Sequence, residues 1–186
     1  MQDDSLTPPD LVNRARKIKL FLMDVDGTIT DGGVCLLSLP NNGGVAEMKV
    51  FNSQDGVGLN LAHTMGIKTG FITGRRSPAV SQRAKECHVE FVYLGQATKT
   101  AAFEECMQKA QVSADEVAYM GDDLPDMAVA KRVGLAVAVA NAAPELKAIS
   151  HYQTKTRGGS GTAREVVELI LKAQGRWQEA VPLALA

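Results

Sequence analysis

Five short runs of β-branched or other apolar residues, at 18–23, 67–73, 89–94, 117–120 and 135–139, recur along the chain with helical segments between them. A strand with one wet face alternates apolar and polar side chains, whereas a strand covered on both faces is apolar at successive positions. The recurrence therefore predicts an α/β fold: a doubly wound, Rossmann-like parallel sheet with helices on both faces. Helix starts agree. Ser77-Pro78 offers an N-cap followed by a proline suited to a first turn, and Ser113 with Glu116 has the spacing of a capping box. Helices are expected at 78–86, 98–111 and 162–174, the last entered through the glycine-rich loop 157–161 and followed by a weakly structured tail. One segment interrupts the alternation. Residues 33–39 and 45–51 flank Pro40-Asn41-Asn42-Gly43-Gly44, which reads as a β-hairpin with a flexible tip projecting after the first strand.

A chain of 186 residues, 45% hydrophobic and without internal repeats, closes one sizeable core, so a single domain over 1–186 is expected. The formal charge of −1 comes from well-mixed signs, with no basic face for nucleic acid and no polybasic run for a membrane surface. A small-molecule partner is favoured. Residues 1–10 are polar and acidic, unlike a secretory signal, and the longest apolar stretch, 133–140, is far short of the ~20 residues that span a bilayer. A cytoplasmic location follows. Cys35, Cys87 and Cys106 are widely spaced and odd in number, which suits reduced, semi-buried thiols and not a disulfide framework or zinc site.

The first apolar run ends in Asp24-Val25-Asp26-Gly27-Thr28. Two carboxylates then stand at the C-terminal edge of the sheet, where open α/β folds keep their ligand crevice. Acids two residues apart straddle a turn, so one can attack phosphorus while the other gives a proton to the leaving oxygen. Gly121-Asp122-Asp123-Leu124-Pro125-Asp126 follows another apolar run and brings a second acidic cluster to the same edge. Such crowded carboxylates raise one another's pKa unless a cation sits among them, and hard oxygen ligands at an open site suit Mg²⁺. Thr73-Gly74-Arg75 ends the second run of the sheet, where a hydroxyl and backbone N–H groups can meet phosphate oxygens. Lys99, near a helix start, can set a fixed positive charge against the charge developed in phosphoryl transfer.

Asp-x-Asp-Gly-Thr, Thr-Gly-Arg, Lys and Gly-Asp-x-x-x-Asp, in that order and each after a strand, resemble the four motifs of haloacid dehalogenase-type phosphatases. The resemblance spans residues 18–140. It implies Asp24 as nucleophile, Asp26 as general acid/base, Thr73 on the phosphate and Lys99 on the phosphoaspartate. It also implies Mg²⁺ held by Asp24, the Asp26 backbone carbonyl and Asp122, with Asp126 in support. The intervals 31–72 and 76–98 leave no room for the cap domain that many relatives insert. This capless layout, with Lys49-Val50-Phe51, Asp55-Gly56-Val57-Gly58-Leu59 and Gly158-Gly159-Ser160-Gly161 before Arg164-Glu165, is similar to the 3-deoxy-D-manno-octulosonate 8-phosphate phosphatases. That resemblance implies a phosphorylated sugar acid of lipopolysaccharide synthesis as substrate and a homotetramer with shared sites. It also implies Gly74, Arg75, Gly158, Gly159 and Arg164 as substrate contacts. Gln54 stands where that family usually has arginine, which leaves a related nonulosonic or deoxy sugar phosphate as the alternative. Receiver domains also form an aspartyl phosphate, but they carry an adjacent acid pair after the first strand and the phosphoacceptor after the third. A non-catalytic regulatory relative would not need all four motifs.

Overall fold

The computed structural model describes residues 9–41 and 43–184. In chain order they form α1 (Pro9–Arg16), β1 (Leu20–Met23), β2 (Cys35–Ser38), β3 (Val45–Met48), α2 (Ser53–Thr64), β4 (Lys68–Ile72), α3 (Pro78–Glu86), β5 (Phe91–Tyr93) and α4 (Thr100–Ala110). There follow β6 (Val117–Gly121), α5 (Met127–Ala130), β7 (Leu135–Ala138), α6 (Pro144–Ile149), β8 (Tyr152–Gln153), α7 (Thr162–Ala173) and α8 (Trp177–Leu183).

Six strands make one parallel sheet in the order β5-β4-β1-β6-β7-β8. All four side chains of β1 are wholly buried, as its unbroken apolar run requires of a strand covered on both faces. The chain winds outward from β1 through β4 to β5, then returns to start again at β6. Right-handed crossovers accordingly place α2 and α3 on one face and α4, α5 and α6 on the other. On the first face α7 packs against both α1 and α2. The α2–α7 approach is close enough that a Cβ on Gly58 would lie 2.6 Å from Cα of Arg164. The reversal of direction falls between β1 and β6, and a crevice opens beyond their C-terminal ends.

Strands β2 and β3 pair antiparallel, from Cys35 opposite Met48 to Ser38 opposite Val45, and form the expected hairpin. Leu39 and Gly44 close it, N–H to carbonyl, at 3.0 Å; Asn42 of the expected tip lies outside the described residues. Val34, Leu36, Leu37, Leu39, Val45, Met48 and Val50 are all exposed on it, so among the described residues these apolar side chains find little cover, and only Glu47 and the adjoining Lys49 are seated against the sheet. Among the described residues, the intervals between the acidic turn and β4, and between β4 and α4, hold only this hairpin, α2, α3 and β5.

Three expectations need correction. The tail after α7 is a helix, α8: Ala180 is wholly buried and the Trp177 ring stacks under the Arg164 guanidinium at 5.1 Å. Ser113 and Glu116 do form a capping box, with the Ser113 N–H donating to the Glu116 carboxylate at 3.0 Å, but it closes a single 3-10 turn that feeds β6. Ser77 precedes α3 without a side-chain capping bond, leaving Pro78 as the start signal. The thiols are free: Cys87 and Cys106 are buried and Cys35 half-buried. Among the described residues no helix is long and apolar enough to cross a membrane.

Candidate active site

Past β1 the chain folds into a tight turn in which the N–H groups of Thr28, Ile29 and Thr30 all donate to the Val25 carbonyl, at 3.2, 2.9 and 3.0 Å. Gly27 makes this turn with φ +90°, and a Cβ there would sit 2.1 Å from Oδ2 of Asp122. Only glycine meets both demands. The Asp24 N–H donates to the Met120 carbonyl at 2.9 Å, so β1 and β6 hold the two acidic loops edge to edge.

Asp126 organises the second loop. Its Oδ2 accepts from the N–H groups of Asp122 and Asp123 at 2.9 and 3.1 Å, while Oδ1 accepts from Tyr119 Oη at 2.6 Å and Lys99 Nζ at 2.7 Å. Both oxygens are in use, which fits a supporting role. Lys99 Nζ also reaches Asp24 Oδ1 at 2.5 Å, and Thr28 donates its hydroxyl to Asp122 Oδ1 at 3.2 Å. Asp123 is exposed and caps its own loop by accepting from the Leu124 N–H at 2.8 Å.

One oxygen from each of Asp24, Asp122 and Asp126 falls within a 4.8 Å span. Burial, against the pull of Lys99 and with the repulsion of Asp126 and Asp122, pushes the Asp24 carboxyl up to about 7. Burial and Asp126 push Asp122 up to about 6, although the Thr28 hydrogen bond opposes them. Burial disfavours the Lys99 ammonium, but Asp24 and Asp126 outweigh it and raise its pKa. One ammonium among three carboxylates leaves a negative cluster, and a hard divalent cation is the charge that such an oxygen set accommodates.

The remaining expected residues divide into two groups. Asp26 and Thr73 belong to the crevice: Thr73, buried at the end of β4, donates its hydroxyl to Asp26 Oδ2 at 3.4 Å and accepts from the Arg75 N–H at 3.3 Å. Gly74 is open, with only the Gln96 carbonyl 3.7 Å from where a Cβ would stand. The Arg75 guanidinium donates to Glu47 of β3 at 2.7 and 3.2 Å, tying the hairpin to the rim. Gly158 and Gly159, by contrast, pack against the turn that follows β1. A Cβ on Gly158 would lie 1.8 Å from the Gly27 carbonyl oxygen, and the Gly159 N–H donates to the Thr28 carbonyl at 3.1 Å. Arg164 spends its side chain on Trp177 and its N–H, at 3.2 Å, on Asp55. Within the single chain these three residues therefore serve packing.

Sequence reasoning gave no role to Tyr119, Asp55, Glu165 or Lys49. Tyr119 is a lone hydroxyl in an apolar strand, and that contrast was the available signal. Asp55 Oδ1 accepts from the Ala163 and Arg164 N–H groups, capping α7 from α2. Glu165 gathers Tyr152 Oη, the Lys155 and Thr156 N–H groups and the Thr156 hydroxyl at 2.7–3.1 Å, fixing the approach to the glycine loop. The Lys49 ammonium contacts Asp26 Oδ1.

Comparison with known proteins fits this geometry. A model of haloacid dehalogenase-like hydrolases matches residues 82–166. The chain is 42% identical over 171 residues to the 3-deoxy-D-manno-octulosonate 8-phosphate phosphatase of Escherichia coli K12, covering 92% of this chain and 88% of the relative. The Yersinia pestis phosphatase of the same name superposes with a TM-score of 0.87 at 40% identity, over 92% of this chain and 90% of that one. The Moraxella catarrhalis phosphatase, solved in complex with magnesium ion, phosphate ion and a KDO molecule, does so with a TM-score of 0.87 at 38% identity, over 95% of this chain and 99% of that one. Motifs, topology and relatives converge: the chain belongs to the haloacid dehalogenase-like family of 3-deoxy-D-manno-octulosonate 8-phosphate phosphatases.

Proposed function

We propose that this chain hydrolyses a phosphorylated sugar acid, 3-deoxy-D-manno-octulosonate 8-phosphate, through an aspartyl phosphate on Asp24. The observation that carries the reading is the Asp24–Lys99–Asp126 assembly at the sheet's reversal point, with Asp26 held separately on Thr73. The relative solved with magnesium, phosphate and KDO supports both metal and substrate class.

An Asp24 carboxylate oxygen attacks phosphorus in line with the ester oxygen, and that P–O bond breaks as Asp26 protonates the departing alkoxide. Asp26 then takes a proton from the water that attacks the phosphorus of the aspartyl phosphate, returning Asp24 and releasing phosphate. Lys99 holds Asp24 against its negative neighbours and offsets charge on the transferring group. Thr73 Oγ1 and the backbone N–H of Gly74 bind phosphate oxygens, and the Arg75 guanidinium, seated on Glu47, stands at the rim where the sugar acid enters. Asp24, Asp122 and the Asp26 backbone carbonyl would hold Mg²⁺, with Asp126 fixing the loop of Asp122. When bound, this ion neutralises the cluster so that a phosphate dianion can approach.

A crevice without a cap needs a roof against bulk water. The apolar side chains of the hairpin, exposed among the described residues, support a homotetramer in which neighbouring copies supply that roof; a single domain over 1–186 and a cytoplasmic location complete the reading. A phosphate-release screen over sugar-acid phosphates and common phosphomonoesters tests the substrate. The expected outcome is highest kcat/KM on 3-deoxy-D-manno-octulosonate 8-phosphate, activity abolished by chelator and restored by Mg²⁺. A different preferred ester, or full activity in excess chelator, would refute the corresponding part.

A further inference from the structure

Lys49 takes no part in the chemistry assigned above, yet its side chain is only 2% exposed and its ammonium rests on Oδ1 of Asp26. It also stands 3.5 Å from Glu47 Oε1, the oxygen that accepts from Arg75. The other oxygen of Asp26 accepts from Thr73. Hiding an ammonium costs desolvation, and ordering a four-carbon stem costs rotamer entropy of ~2 kcal/mol. A lysine at the end of an otherwise exposed hairpin would ordinarily extend into water. Here it turns inward, onto the carboxylate that must face the leaving oxygen.

We infer that Lys49 is a positioning residue for proton transfer. It holds Oδ1 of Asp26 from the hairpin and leaves Oδ2, which accepts from Thr73 in the resting chain, to face the leaving oxygen once Thr73 turns to the phosphate, so the carboxyl is kept from swinging toward Asp24 or out to solvent. Glu47 and Arg75 brace the ammonium from the far side. Because Lys49 directly follows β3, the seating of the hairpin and the aim of the proton donor are one mechanical unit. The inference rests on the role given to Asp26 above.

A tether that merely pins the hairpin would affect all substrates alike, whereas a group that aims the proton donor matters only where the leaving oxygen needs a proton. The test is kcat/KM of the Mg²⁺-loaded enzyme, which reports the step that forms the aspartyl phosphate, on glycerol phosphate and on p-nitrophenyl phosphate. Nitrophenolate leaves unprotonated; an alkoxide does not. Lys49→Met is expected to lose ~10²-fold on glycerol phosphate but only a few-fold on the aryl ester, a 1 Å misplacement being worth about that much. Lys49→Arg is expected to restore the ratio. Both rates come from one preparation, so any misfolded fraction cancels from the ratio. Equal losses on the two esters, or no loss, would overturn the inference. Asp26→Asn is the control: if it shows the alkyl-selective loss and Lys49→Met does not, the positioning role alone is wrong. If Asp26→Asn shows no such selectivity, the proton-donor role fails, and the inference with it.

Discussion

At Asp24 the fold keeps a carboxylate where burial and two neighbouring acids all oppose its charge. That arrangement predicts a specific pH dependence. Its pKa rises from 3.8 unfolded to about 7 folded, so the metal-free native state binds the proton more tightly than the unfolded chain does. The associated stability is present below pH ~4 and is lost as pH rises through ~7. Urea unfolding of chelated protein is expected to show a fall of a few kcal/mol across that window. Asp24→Asn should flatten the fall while abolishing turnover, because an amide cannot serve as the nucleophile. A variant with the parental pH slope, or with retained activity, would contradict the assignment. That Asp24, Asp26, Thr73, Lys99, Asp122 and Asp126 share one crevice was legible, because each lies at the end of an apolar run or at a helix start, where sequence spacing fixes position. Lys49 was singled out only within the family resemblance, and its contact with Asp26 was not legible, because it belongs to a hairpin whose docking onto the crevice no local pattern encodes. Gly158, Gly159 and Arg164, which the family resemblance implies as substrate contacts, pack within the chain against Gly27, Thr28 and Trp177.

Between elements, the turn after β1 is held by Gly159 and by Thr162, the first residue of α7, both on the Thr28 carbonyl, and α7 is capped from another helix. Gly161, its N-cap residue, has no side chain to offer, so Asp55 of α2 supplies the acceptor at 2.8 and 3.2 Å. Losing such a cap costs ~1–2 kcal/mol. Asp55→Ala should therefore lower the urea midpoint by an amount of that order, while Asp55→Asn keeps an acceptor and stays near the parent. The pH sign is distinctive. Burial, opposed by the backbone N–H groups it accepts from, raises the pKa of Asp55, so its charged form is the one the fold disfavours. The parent should gain stability relative to Asp55→Asn as pH falls through that raised value, since a neutral carboxyl still accepts through its carbonyl oxygen. An asparagine variant as unstable as the alanine one would refute the capping account. The long, strongly patterned elements were readable; α8 and β8 were not. The two-residue β8 falls below any periodicity, and α8 is held by contacts of Trp177 and Ala180 that exist only after the sheet has formed.

For the whole molecule the hairpin is the open question that the chain poses to its surroundings. An isolated two-stranded ribbon is marginal in water, and its unpaired edges invite further strands. This one exposes seven large apolar side chains, with Leu36 at 59% and Val45 at 65% accessible. Copies of the same hairpin brought together by closed symmetry would cover both faces, which is the physical basis for expecting four chains. The same ribbon carries Glu47 and ends on Lys49, so its seating bears on Arg75 and Asp26. Leu36→Glu with Leu37→Glu, at successive positions of β2, places a charge on each face of the ribbon. Light scattering is expected to give four chains for the parent and smaller species for the double variant. Because dissociation removes the roof, kcat/KM for a sugar-acid phosphate should fall by at least ~10-fold, with a smaller loss on p-nitrophenyl phosphate. A fully active monomeric parent, or a dissociated variant with parental kinetics on both esters, would separate the hairpin from the chemistry and leave each crevice complete within its own chain.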